Sequence, residues 1–197
     1  MAAVVALPAP PAGASHRLWT AVEFDQMGDF GLFEGRRAIL MDGVIIEWGR
    51  MNPPHAVALS LTIDALRSVF GLGWRVRTQM PVHLADDTNP MPDVAVVPGG
   101  PRDYQDAHPN TAALVVEVAD TSLDYDQTVK AEKYAGSGIP DYWVLDVEGR
   151  RLLVFRDPYP HPAGGHTHRT HLTLGPADAV VPLAAPHAAV RLADLLP

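Results

Sequence analysis

The chain predicts a single mixed α/β domain, a central sheet with helices packed on it. Two apolar runs without polar alternation, VAVV (94–97) and ALVVEV (113–118), read as strands covered on both faces. WRVRTQMPVHL (74–84) alternates instead, as a long strand with one wet face does. Helical patterns at 52–71 and 127–137 are interleaved with these strands, which argues for helices laid against one sheet.

At 197 residues, 47% hydrophobic and 19% charged, the chain has the balance of one ordinary globular core. It contains no run near the ~18 uninterrupted apolar residues of a membrane span. MAAVVALPAPPAGAS lacks a basic start and is broken by prolines, so residues 1–17 read as a disordered lead-in rather than a signal peptide. Having no cysteine excludes disulfides and thiolate metal sites, and leaves the cytoplasm as the default compartment. A net charge of −8 argues against broad, non-specific attraction to nucleic acid, although a local basic patch remains compatible with it.

In chain order, Thr20 with Glu23 forms a capping-box pattern ahead of the helix AVEFDQM (21–27). RRAILM and VIIEW flank Asp42-Gly43, the signature of a β-hairpin. The prolines of NPPHAVALSLTIDALRSVFG suit a first helical turn, Val57, Leu61, Ala65 and Val69 share one face, and Gly71 and Gly73 end the helix. ADDTNPMP links the alternating strand to VAVV, and a Gly/Pro-rich loop leads from there to ALVVEV. Asp124 or Asp126 is placed to cap the helix QTVKAEKYAGS, and Gly136 and Gly138 stop it. DYWVLD and RLLVFRD are two further strands; beyond them a Gly- and His-rich link leads into an edge strand. The domain is read as 18–197, with a core of about 18–157 and a C-terminal extension over 158–197.

Chemistry concentrates between Pro92 and Asp146. Asp93 opens one apolar strand and Glu117 sits inside the next, where an unpaired carboxylate is expensive. Lys130 follows on a helical stripe with Asp126 and Tyr134, spaced four residues apart. Alone, Asp93 also fits a strand-entry cap, Glu117 a wet strand edge, and Lys130 a surface partner of Asp126. Together the two carboxylates suit a hard divalent cation such as Mg²⁺, completed by water and phosphate oxygens. A lysine beside them can orient the attacking water or help deprotonate it, and offset transition-state charge in phosphodiester hydrolysis. Gln79 could face the same cleft or only the wet strand face. His161, His166, His168 and His171 lack companion ligands and read as a solvated segment. GSG at 136–138 is a helix stop, with no strand before it to make a phosphate cradle.

In this order NPMPDVAVV, LVVEVAD-S, D-x-x-x-K-x-x-x-Y and GIPDYWVLD resemble the Uma family of restriction-endonuclease-like proteins, in the PD-(D/E)XK nuclease superfamily. The resemblance spans roughly residues 18 to 157 and is strongest from Asn89 to Asp146. It implies a restriction-endonuclease-like mixed central β-sheet flanked by helices, with Asp93 and Glu117 as ligands of Mg²⁺ or Mn²⁺. The superfamily's usual lysine position, two after the glutamate, is Ala119 here, so the resemblance points to a migrated catalytic lysine at Lys130, with Lys133 second. Ile39 stands where the family often has a hairpin glutamate, and His55 matches its histidine at the start of the second helix. DNA is the implied substrate, contacted from a basic set such as Arg36, Arg37, Arg75 and Arg77, and a homodimer is compatible. Two other functions stay open: a DNA-binding or regulatory module that has lost cleavage, and a metal-dependent hydrolase of small phosphate esters.

Overall fold

The computed structural model describes residues 10–197. The start of the expected lead-in, residues 1–9, lies outside the described residues; residues 10–19 carry no helix or strand. Helix α1 (Ala21–Asp29) begins at the expected capping box, Thr20 accepting from the Glu23 amide and Glu23 reaching back to the Thr20 amide. Strands β1 (Arg37–Met41) and β2 (Val44–Trp48) form the hairpin, a separate two-stranded sheet. Its turn is Asp42 at φ 50° and Gly43 at φ 72°, the left-handed pair that matches the twist of a tight hairpin.

Helix α2 (Pro53–Phe70) starts at Asn52, whose side chain accepts from the His55 amide. Its buried face is Ala58, Leu59, Thr62, Leu66 and Phe70, one residue round from the expected stripe, and Val57 is exposed. The alternating strand is shorter than its pattern suggests: β3 ends at Thr78 because Gln79 adopts φ 49°. Strands β4 (Val94–Pro98), β5 (Leu114–Ala119), β6 (Asp141–Asp146), β7 (Arg151–Pro160) and β8 (His166–Leu174) complete a six-stranded sheet in the order β3-β4-β5-β6-β7-β8. Among the described residues, only the β5–β6 pair of this sheet is parallel. The crossover between those two strands runs through α3 (Leu123–Tyr125), a π-helical turn (Asp126–Lys130) and α4 (Ala131–Gly136). Neither Asp124 nor Asp126 caps it. Asp126 lies within the crossover and is buried.

Strand parity divides the core. Val94, Val96, Leu114, Val116 and Val118 face α2 on one side of the sheet. Ala95, Val97, Val115 and Ala119 face Ala131 and Tyr134 of α4 on the other. The hairpin and α1 close a smaller cluster around Phe24 and Leu40. Sheet pairing does not stop at 157: β7 continues to Pro160 and β8 forms the sheet edge. Short strands β9 (Ala179–Val180) and β10 (Val190–Arg191) then bring Val180, Val190, Leu192 and Leu195 onto the α2 side of the core. The histidine segment is therefore not uniformly solvated, because His168 is buried against Tyr142 and Phe155. No helix among the described residues is long and apolar enough to cross a membrane.

Candidate active site

The sheet register explains why two carboxylates meet. Val94 pairs with Val116 and Thr78 with Val94, so continuing each ladder by one residue aligns Gln79, Asp93 and Glu117 in one row. By parity all three belong to the face toward α4. The contacts agree with this row. Gln79 Nε2 lies 3.4 Å from Asp93 Oδ1, and the Asp93 amide lies 3.4 Å from Glu117 Oε2.

Two further elements reach Asp93. Arg37 of β1 donates to Asp93 Oδ1 at 3.1 Å and to the Met91 carbonyl at 3.1 Å. His55, in the first turn of α2, places Nε2 3.4 Å from the same oxygen, while Oδ2 accepts from the Val118 amide at 3.0 Å. Burial alone would raise the Asp93 carboxyl. His55, the Arg37 guanidinium and the Val118 amide outweigh burial and hold it well below the usual carboxylate range.

Glu117 has the opposite balance. Burial raises it to about 7, the nearby Asp126 and Asp93 carboxylates push the same way, and Lys130 pulls against them. Its Oε1 accepts from the Tyr134 hydroxyl at 2.9 Å and its Oε2 lies 3.0 Å from Lys130 Nζ. Lys130 Nζ is also 2.8 Å from Asp126 Oδ1. Burial pulls the ammonium down, but Glu117 and Asp126 outweigh it and hold Lys130 charged above its ordinary value. With two carboxylates at hand, the ammonium keeps a partner even when Glu117 carries a proton. Asp126 and Lys130, four residues apart and both buried, begin and end the π-helical turn; such turns recur at functional sites.

Asp93, Glu117 and Lys130 form the floor of a cleft of about 440 Å³, lined also by Arg36, Arg37, Trp48, Arg50, Asn52 and His55, whereas Gln79, Asp126 and Tyr134 lie behind its lining. Asp93, Glu117 and Lys130 are only 3%, 1% and 6% exposed, so the floor is recessed. Asp141 and Asp146, buried carboxylates on β6, are also paired with arginines. Arg156 binds Asp141 at 2.8 and 3.2 Å, and Arg151 Nε binds Asp146 at 2.8 Å. Neither lines the cleft.

The structure thus brings Asp93, Glu117, Lys130, His55 and Gln79 together. It sends Lys133 elsewhere, to a 2.8 Å pair with Asp42 on the hairpin turn. Arg36 and Arg37 line the cleft, whereas Arg77 packs on Tyr104 and bonds to the Pro81 carbonyl. Ile39 is buried and adds no ligand. Sequence reasoning named Arg37 only as a DNA contact and passed over Tyr134 and Trp48 as site residues. Tyr134 was signalled by its four-residue spacing from Lys130, but no local pattern marked Trp48.

No group of three or more His, Asp or Glu side chains among the described residues is arranged to hold a metal ion. Asp93 and Glu117 fit a hard cation by donor chemistry, two carboxylates from adjacent strands at one cleft floor, with the remaining positions left for water and substrate oxygens.

Comparison with known proteins agrees with this fold. The chain matches the family described as "Uma2: Putative restriction endonuclease" over residues 21–184. Among solved structures it is similar to a protein of Anabaena variabilis described as a "putative nuclease belonging to DUF820". That match has a TM-score of 0.63 and 17% identity, covering 80% of this chain and 88% of the other, which shows a shared fold. No curated protein matches. On the extent of the family match, the chain belongs to the Uma2 family of restriction-endonuclease-like proteins.

Proposed function

We propose that the protein is a metal-dependent endonuclease that hydrolyses DNA phosphodiester bonds at the cleft floor. The observation that carries this reading is the convergence of Asp93, Glu117 and Lys130, from two strands and the crossover helix, in one recessed cleft. Asp93 and Glu117 would hold Mg²⁺ or Mn²⁺, which when bound supplies Lewis acidity toward the phosphate and acidifies water. Asp93, held ionised by Arg37 and His55, is the standing ligand. Glu117, held by the Tyr134 hydroxyl and Lys130, is the second; the water oxygen bonds to phosphorus as the phosphorus–oxygen bond to the leaving strand breaks, and the proton of the water passes to solvent. Lys130 stays an ammonium, so it orients the water and offsets phosphoryl charge rather than accepting the proton. His55 and Gln79 fix the Asp93 carboxylate from either side.

Incubating single-stranded and supercoiled circular DNA with the protein and Mg²⁺ or Mn²⁺ tests the proposal. Cleavage should fall by about 100-fold or more in Glu117→Gln, the scale of losing one transition-state contact. Cleavage that survives in the variant, or none in the wild type with either ion, overturns it. A second reading, a nucleic-acid-binding module without cleavage, draws support from Ile39 and from the pairing of both carboxylates by protein cations. Under that reading calorimetry finds no Mg²⁺ or Mn²⁺ binding that Asp93→Ala abolishes. Turnover of a small phosphate ester with both DNAs left intact would move the substrate class instead.

A further inference from the structure

Strand β2 ends at Trp48, which stands half-buried in the cleft wall. Its ring meets Tyr125 edge-on with centroids 5.8 Å apart, and Lys130 Nζ lies 5.3 Å from its centroid. The indole therefore stands directly beside the ammonium that reaches Glu117. Two residues on, Arg50 is exposed, lines the same cleft and has no ion-pair partner among the described residues. The other cleft cations are already engaged: Arg36 with Glu47, Arg37 with Asp93, and Lys130 with Asp126 and Glu117.

The shape and charge of this cleft disfavour an intact duplex. A duplex offers its phosphates on a broad convex surface and is held by neutralising many of them at once. Here the reacting groups lie at the bottom of about 440 Å³, one cleft cation is free among the described residues, and the chain carries a net charge of −8. That volume is in the range of a small-molecule pocket, enough for a nucleotide or two. What the cleft offers in place of cations is an aromatic face, and unpaired bases bind by stacking on such faces without regard to sequence.

We infer that the cleft admits an unpaired strand, single-stranded DNA or a frayed end or flap, with one base stacked on Trp48 and its phosphate led past Arg50 to Asp93 and Glu117. This rests on reading the cleft as a phosphodiesterase site and adds which form of DNA it takes. Trp48 then acts on binding and positioning, and takes no part in bond cleavage.

The test is fluorescence anisotropy with the full chain, a labelled oligothymidine strand and a blunt duplex of equal length, without divalent ion so that binding is read apart from cleavage. The single strand should bind at least about tenfold more tightly than the duplex, the order of one base–aromatic stack. Trp48→Ala should abolish that preference and Trp48→Phe restore most of it. Arg50→Ala should lower the salt dependence by about one phosphate contact. The chain has four tryptophans, so the quenching that accompanies single-strand binding should be lost in Trp48→Phe if this indole is the one stacked. Equal or tighter duplex binding, or an unchanged preference in a folded Trp48→Ala protein, overturns the inference. If duplex is cleaved in a Glu117-dependent way, the nuclease proposal stands while this one falls. If neither nucleic acid is bound or cleaved, both fall.

Discussion

Lys130 shows how a single residue can hold a site together. Its ammonium lies 5.3 Å from the Trp48 ring and 6.0 Å from that of Tyr125 at the cleft floor, and two carboxylates meet it from different elements. Truncating one partner of a buried charge cluster strands the others, so Lys130→Met should lower unfolding free energy by about 3 kcal/mol or more in urea at pH 7. Adding Asp126→Asn should recover part of the loss, because the stranded carboxylate is then neutralised. Lys133→Met, which breaks a half-exposed pair with Asp42, should cost less than about 1 kcal/mol. Equal losses in the two lysine variants would refute this account of Lys130. The distinction was partly legible beforehand: a carboxylate inside an apolar strand and a lysine four residues from both an aspartate and a tyrosine are local patterns. Arg37 had no such signal, because its partnership with Asp93 spans 56 positions and depends on where a separate hairpin docks.

That hairpin is the element on which the cleft depends, since β1 supplies Arg37 and β2 supplies Trp48. Its turn is fixed by more than backbone preference. Gly43 sits at φ 72°, and a Cβ there would lie 2.6 Å from Leu18 Cβ and 3.1 Å from the Trp19 backbone. The Trp19 amide donates to the Gly43 carbonyl at 2.8 Å, so neither side can easily yield. Gly43→Ala should therefore cost about 1–3 kcal/mol, read as a lower melting temperature, and weaken DNA binding as the hairpin shifts. A melting temperature and affinity equal to wild type would mean that the hairpin position is not set by this contact. Asp-Gly between apolar runs made the turn readable, whereas two other elements misled. The alternation of 74–84 runs past the true end of β3, since period-two patterning cannot show that Gln79 leaves the extended region. Helix α2 is apolar around much of its girth, so two stripes one residue apart were equally plausible and tertiary packing chose Ala58, Thr62 and Leu66.

At the scale of the whole molecule the C-terminal forty residues contribute Val180, Val190, Leu192, Leu195 and a buried His168 to the packed interior, and His168 shows the consequence. Composition made this segment look like a solvated link, because histidine, glycine and threonine give no sign of burial until β8 pairs with β7. Once paired, His168 is 4% exposed, its Nε2 has no hydrogen-bond partner among the described residues, and its ring lies 5.6 Å from that of Phe155. Burial, with a smaller push from His171, lowers its pKa from 6.5 to about 4. The unfolded chain then binds a proton that the folded one refuses. The stability tied to neutral His168 is complete above pH 6.5 and is lost as pH falls toward 4. Asp93 behaves differently, since its depressed carboxyl keeps its contribution until pH falls below the ordinary aspartate range, so the two acid losses occupy separate windows. Glu117, raised to about 7, gains stability as pH falls over much of the same range, so the His168 effect is read as a difference: between pH 7 and pH 4 the wild-type melting temperature should fall relative to that of His168→Phe, whose ring suits the Tyr142 and Phe155 surroundings. Above pH 6.5 the two proteins should differ little. Parallel profiles over that range would place the acid sensitivity elsewhere, and a variant that loses stability equally at every pH would show that the imidazole is held by polar contacts rather than by exclusion of water.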